Sequence, residues 1–159
     1  MSTSRSAPQQ PSSADELARL EVAVSALVRW SESRHVRAEV ARVVGRDLPA
    51  SALRLLEHFE AAGAMRVSAV AECLHIDVST ASLQLRGLRS DGLVSRTADP
   101  ADGRSGVVAI TAEGRSVLAR VRAVRCELLA QALGSASPGE WGRAAEVLLR
   151  VQQHMLGAG

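Results

Sequence analysis

The order of apolar patterns inside one stretch, Ser68 to Thr111, constrains this chain more than any other feature of its sequence. From Ser68 to Leu74, and again from Val78 to Ser90, the apolar residues keep helical spacing. Ser68 is the expected N-cap of the first of these helices, with Val70, Ala71 and Leu74 turned inward. His75-Ile76 forms the turn and Asp77 the next N-cap, after which Ala81, Leu85 and Leu88 fall at i, i+4 and i+7. Asp91-Gly92 closes the second helix. Leu93-Val94-Ser95-Arg96-Thr97 and Val107-Val108-Ala109-Ile110 then read as two strands, joined by a loop from Asp99 to Ser105 that is dense in turn formers.

Helix, tight turn, helix and hairpin in this order outline a winged helix-turn-helix, a unit that binds DNA more often than it does anything else. The second helix has the surface for that role. Opposite its apolar stripe it shows Val78, Ser79, Ser82, Leu83 and Arg86, which are small and mostly polar with one long cation. A helix that only covered a core would not need so uncluttered a face. A helix in the major groove does, because its backbone must come close to base edges.

The flanks read as helices. Residues 1–12 are polar and rich in Pro, Ser and Gln, the composition of a disordered arm. Ser13 and Glu16 have capping-box spacing, and Leu17, Leu20, Val24, Leu27 and Val28 recur on one face of a helix reaching about Trp30 or Glu32. After a weak point at Ser31-Glu32-Ser33, helical spacing resumes through Val36, Val40 and Val43 until Gly45. Pro49 suits the first turn of a helix whose apolar face is Leu53, Leu55, Leu56 and Phe59, and Met65-Arg66-Val67 could form a short strand. Beyond the hairpin, Thr111 caps a long helix with Val117 or Leu118, Val121, Val124, Leu128, Ala132 and Leu133 inward. Ser137-Pro138-Gly139-Glu140 starts the last helix, with Trp141, Ala145, Leu148, Val151 and Met155 inward. This gives a mainly α chain with four parts. They are an arm (1–12), N-terminal helices (13–47), the winged unit (48–111) and C-terminal helices (112–156).

Composition narrows the function classes. At 159 residues, 47% hydrophobic and 23% charged, the chain is long enough for one globular core. Its apolar runs are too short to span a bilayer and no signal peptide opens it, so a cytoplasmic protein without a membrane partner is expected. A net charge of +2 permits an anionic partner without demanding one. Its 19 basic residues are all Arg, which suits bidentate phosphate and guanine contacts but follows equally from GC-rich codons. The two cysteines and four histidines show neither a disulfide framework nor metal-ligand spacing, so no cofactor is expected. No nucleophile elbow, phosphate loop or zinc-protease motif is present, and the chain does not read as an enzyme.

With these residues in place, the chain resembles the MarR (multiple antibiotic resistance regulator) family of bacterial transcription factors over roughly residues 15–156. The segments that carry the resemblance are LPASALRLLEHF, VAECLHIDVSTASLQLRGLRSDGLVSR and DPADGRSGVVAITAEGRSVL. The family hallmark is an Asp-x-Arg wing followed by hydrophobic-Thr-x-x-Gly-x-x-x-Leu, here Asp102-Gly103-Arg104 and Ile110-Thr111 to Gly114 and Leu118. The resemblance implies a homodimer joined by its terminal helices, bound to double-stranded DNA with a recognition helix in each of two major grooves. It assigns Val78, Ser79, Thr80, Ser82, Leu83 and Arg86 to the groove-facing surface and Arg104 to the wing tip, reaching a narrow minor groove. Asp102 would orient Arg104 by a charge-assisted hydrogen bond, and Asp102 and Arg96 are the candidate wing supports. The implied role is a repressor of a pseudo-palindromic operator, released by a small-molecule effector or an oxidant.

This sequence also departs from the family pattern. His75 stands where the family usually has a turn glycine, Gly87 replaces a residue that is often basic, and Gly103 replaces a frequent second wing arginine. From Asp77 to Gly92 the charges cancel, Arg86 and Arg89 against Asp77 and Asp91. That neutrality supports the alternative of a winged-helix protein-interaction module with little DNA affinity. Cys73 is a candidate redox site or a structural thiol, and Cys126 is packing material. Trp30 and Trp141 belong either to core and interface packing or to the wall of an apolar effector pocket.

Overall fold

The computed structural model describes residues 12–98 and 106–157. The expected arm up to residue 11 and the wing tip, with Asp102 and Arg104, lie outside the described residues, as does the side chain of Met155. The chain divides into two compact units at Arg125/Cys126.

The first unit opens with α1 (Ser13–Ser31), α2 (Arg34–Val44) and α3 (Ala50–Ala62). Then come β1 (Met65–Arg66), α4 (Val67–Cys73), α5 (Val78–Ser90), β2 (Val94–Ala98) and β3 (Gly106–Ile110). Helix α6 (Ala112–Leu133) runs through the unit boundary, and α7 (Pro138–Gly157) lies in the second unit. The strands form one antiparallel sheet in the order β1-β3-β2, with Met65 opposite Val108 and Arg96 also opposite Val108 across the hairpin. This is a mainly helical winged helix-turn-helix. The pairing of β1 with β3, which a two-residue segment cannot announce in sequence, ties the start of the motif to the wing.

The core collects Leu55, Leu56 and Phe59 from α3, Val70 and Ala71 from α4, and Ala81, Leu85 and Leu88 from α5. Leu93 and Val117, Leu118 and Val121 of α6 complete it. Ion pairs Arg122–Glu60 and Arg125–Glu57, the latter at 3.2 Å, join α6 to α3 around this core.

Several local details correct the sequence reading. The capping box of α1 is Ser12 with Asp15, not Ser13 with Glu16; the Asp15 amide donates to Ser12 Oγ at 3.2 Å. Both registers match the spacing, and Glu16 instead pairs with Arg19 at 3.1 Å. On α2 the stripe is Val36, Val40 and Val44, whereas Val43 is exposed. Pro49 is the N-cap of α3, one position before the first turn. Arg66, not Ser68, is the N-cap of α4, because Arg66 is still held extended in β1 opposite Val107. Cys126 is exposed, as are Ala132 and Leu133, and Leu128 is only half-buried.

On α7 the face expected inward is not buried, and the apolar face of α1 stands open in the same way. No residue of α1 is buried, and Leu17, Leu20, Val24, Leu27 and Val28 of its apolar face all stand exposed. On α7, Trp141, Ala145 and Val151 are exposed and Leu148 half-buried, while Trp30 of α1 is half-buried. Their helical amphipathicity is real, but among the described residues each of these faces is left exposed within its own unit.

Candidate nucleic-acid interface

Helices α4 and α5 end in the same way. After α4, the His75 amide donates to Glu72 O at 3.2 Å and the Ile76 amide to Ala71 O at 3.0 Å. After α5, the Gly92 amide donates to Arg89 O at 3.0 Å and the Leu93 amide to Leu88 O at 2.9 Å. Each pair is a Schellman motif, whose penultimate residue must adopt the left-handed conformation. Gly92 does so without strain at φ +73°, and His75 does so at φ +51°. The expectation that His75 takes the usual glycine's place in the turn is met in its backbone angle, at some steric cost.

A second junction fixes the far end of α5 against α6. The Thr111 hydroxyl donates to Gly92 O at 2.7 Å and accepts from the Gly114 amide at 3.0 Å, while the Thr111 amide donates to Leu93 O at 3.0 Å. Thr111 is thus the N-cap of α6 and the clamp on the α5–β2 turn. Gly114 is buried, and a Cβ there would run into the Leu93 carbonyl and stand 2.7 Å from Ile110 Cγ1. The Thr-x-x-Gly hallmark therefore has a mechanical reason: it lets α6 lie directly against the chain leaving α5.

So held, α5 buries Ala81, Leu85 and Leu88 and turns its other side outward. Val78, Ser79, Thr80, Leu83 and Arg86 are exposed and Ser82 is half-buried, so all six groove-facing candidates share the open side. Leu83 is 65% exposed and Val78 53%. Between α5 and the sheet runs a cleft of about 200 Å³, whose lining includes Ser82, Arg86, Arg89, Arg96 and Val67. Within the described residues none of Arg86, Arg89 and Arg96 is in an ion pair. By contrast Arg37, Arg54, Arg120, Arg122 and Arg125 are all paired with carboxylates. Among the described residues the cleft is a concave, cationic strip, each of its arginines offering a hydrogen-bonding fork.

Arg96 crosses the stem of the wing, its Cζ 3.0 Å from where a Cβ on Gly106 would stand. Arg89 is the cleft residue that sequence reasoning passed over as a charge to be counted. The signal was available: Ser82, Arg86 and Arg89 fall at i, i+4 and i+7, one stripe beside the buried one. Cys73 is a free, exposed thiol in the last turn of α4 and does not line the cleft.

A second cavity, about 330 Å³, opens among α1, α2 and α3. Val28, Val36, Val40, Leu48 and Leu53 supply its apolar wall, and the ion pairs Arg54–Glu32 (3.4 Å) and Arg125–Glu57 (3.2 Å) supply its polar rim. Neither Trp30 nor Trp141 is among its lining residues. The described residues contain no cluster of His, Cys, Asp or Glu able to hold a metal, and no helix among them is long and apolar enough to cross a membrane.

Comparison with known proteins places the fold and the family. The model of the MarR family matches residues 46–105. The uncharacterized HTH-type transcriptional regulator YxaD of Bacillus subtilis is 33% identical over 107 residues, which is 67% of this chain and 75% of that protein. Among solved structures, RV1404 from Mycobacterium tuberculosis superposes with a TM-score of 0.69 at 20% identity, covering 93% of this chain and 97% of that one. The transcriptional regulator BldR from Sulfolobus solfataricus superposes with a TM-score of 0.64 at 21% identity, covering 91% and 99% respectively.

Proposed function

This chain belongs to the MarR family, and from that premise we propose that it is a sequence-specific DNA-binding transcriptional regulator acting as a homodimer. The observation that carries the reading is the cleft beside α5. Three arginines, Arg86, Arg89 and Arg96, stand there without carboxylate partners among the described residues, next to a helix face of small side chains. Unpaired cations at a concave surface gain most from phosphates, which release condensed counterions when neutralised. The small face beside them lets the α5 backbone approach base edges. Asp102 and Arg104 extend the surface through the wing tip by the family resemblance, with Arg104 in the minor groove.

The apolar faces of α1 and α7 support the dimer, since each is amphipathic and stands exposed on its own unit among the described residues. A two-fold dimer places one α5 in each of two major grooves about one helical turn apart, so the operator is a pseudo-palindrome. Occupying such a site within a promoter represses it. The cavity among α1, α2 and α3 supports release by a small effector, because it opens where the helices assigned to the dimer meet α3 of the winged unit. Cys73 is the candidate for release by an oxidant, being free and exposed.

Selection from random duplexes with the purified protein tests the reading. It should enrich an inverted repeat, and affinity for that site should fall steeply as salt rises. Selection that enriches no motif, with duplex affinity insensitive to salt, would instead favour the protein-interaction module.

A further inference from the structure

Resting on the reading of α5 as the groove-facing helix, we propose that Leu83 selects a thymine in each operator half-site, through the C5-methyl group that this base shows in the major groove. Leu83 is 65% exposed and stands at the crown of α5. At the helical turn of about 100° per residue, it lies roughly 140–160° round the axis from Ala81, Leu85 and Leu88. Ser79 and Arg86, four residues before and three after, are its neighbours on that face.

An exposed leucine is in itself ordinary. This one is set among Ser79, Thr80, Ser82 and Arg86, every one of which can hydrogen-bond to a base or a phosphate, whereas Leu83 cannot. Held against the groove floor, its isobutyl group would bury N7, O6, O4 or N4 of most base pairs without offering a partner, which is unfavourable. The thymine methyl is the apolar group that the major groove presents. Leu83 therefore both rewards thymine and penalises the alternatives. Val78 is also exposed, but it lies about 140° round the helix from Leu83, at the first turn and off the crown. The contact assigned to Leu83 is thus one methyl per half-site, distinct from any that Val78 makes.

The test replaces each thymine of the selected site, one symmetric pair at a time, with deoxyuridine, which removes the methyl and keeps the pairing and hydrogen-bonding edges. Full-length wild-type protein and Leu83→Ala are titrated against each duplex. Because Leu83 is exposed, the variant should fold as the wild type does, which circular dichroism checks. For wild type, one symmetric pair of positions should weaken binding by about fourfold per half-site, or roughly fifteenfold for both, the scale of one methyl leaving water. With Leu83→Ala the loss at that pair should shrink to less than about twofold. The proposal is overturned if no thymine is sensitive, or if the sensitive pair is as sensitive in Leu83→Ala as in wild type. If wild type binds no duplex at all, the DNA-binding reading fails first and carries this one with it, a result distinct from binding that ignores the methyl.

Discussion

Gly114→Ala should destabilise this protein, although alanine is the better helix former. Two opposing effects set the size. Within a helix, Ala is favoured over Gly by up to about 1 kcal/mol. Against this, the new Cβ meets the Leu93 carbonyl, a backbone atom that already accepts the Thr111 amide at 3.0 Å, and lies 2.7 Å from Ile110 Cγ1. Overpacking of this kind costs about 1–3 kcal/mol. Relief by sliding α6 outward would loosen the Thr111 hydrogen bonds, each worth about 0.5–1.5 kcal/mol. The net expectation is a loss of about 2 kcal/mol, or roughly 6 °C in melting temperature for a chain of this size. Gly87→Ala on α5 is the matched control. Nothing lies within 4 Å of its added Cβ, so it should stabilise by about 0.5–1 kcal/mol. Urea unfolding followed by far-ultraviolet circular dichroism, at one protein concentration because assembly shifts apparent stability, measures both. Equal effects for the two substitutions, or a stabilised Gly114→Ala, would refute the account of the Thr-x-x-Gly junction.

Three further outcomes follow from the site and its supports. His75→Gly relieves a left-handed residue in the Schellman turn and should stabilise by about 0.5–1 kcal/mol in the same urea assay, while leaving DNA affinity within about twofold. Replacing Arg86, Arg89 or Arg96 singly by Ala should weaken duplex binding and flatten the plot of log affinity against log salt by about one unit for each phosphate left without its arginine; Asp77→Asn should strengthen binding at low salt. The Ser137 amide and hydroxyl hold the Glu140 carboxyl below its ordinary value, so its ionised form contributes to the start of α7 above the unfolded value of about 4.3. That contribution is lost as pH falls through the lower folded value. Helicity of wild type should therefore exceed that of Glu140→Gln near pH 6, with the two converging as acid takes the pH below the ordinary carboxylate range.

The sequence reveals those parts of the fold that local physics decides. Ala81, Leu85 and Leu88 are buried because their spacing allows no other common face, and Asp91-Gly92 stops α5 because the turn there needs a left-handed residue. What it conceals depends on partners distant in the chain. The short strand at Met65-Arg66 is suggested by the sequence, but its partner β3 is not, and that pairing moves the α4 cap from Ser68 to Arg66. The apolar stripes of α1 and α7 are plain in sequence, but periodicity states that a face is apolar and not whether the same chain will cover it. The hallmark glycine is readable as a motif; its reason, the Leu93 carbonyl, is a contact across 21 positions of chain and appears only in three dimensions.

The charge balance of the recognition helix shows the same limit most sharply, because a sum over sequence leaves out where the charges stand. Asp77 and Asp91 do cancel Arg86 and Arg89 in number, but the acids occupy the two caps of α5 and the arginines the wall of the cleft. Asp77 is about 13 Å along the axis from Arg86, beyond the screening length of about 8 Å at physiological salt. Asp91 is two residues from Arg89, a spacing that does not bring side chains together on a helix, and Arg46 donates to the Asp91 carbonyl at 3.2 Å, placing another cation at that end. A phosphate entering the cleft therefore meets Arg86, Arg89 and Arg96 first and the carboxylates at a distance. Neutrality of the whole helix limits long-range attraction, and with it the rate of non-specific encounter. It does not weaken contacts made inside the cleft. The expected behaviour is a regulator that depends on fitting its site more than on charge alone.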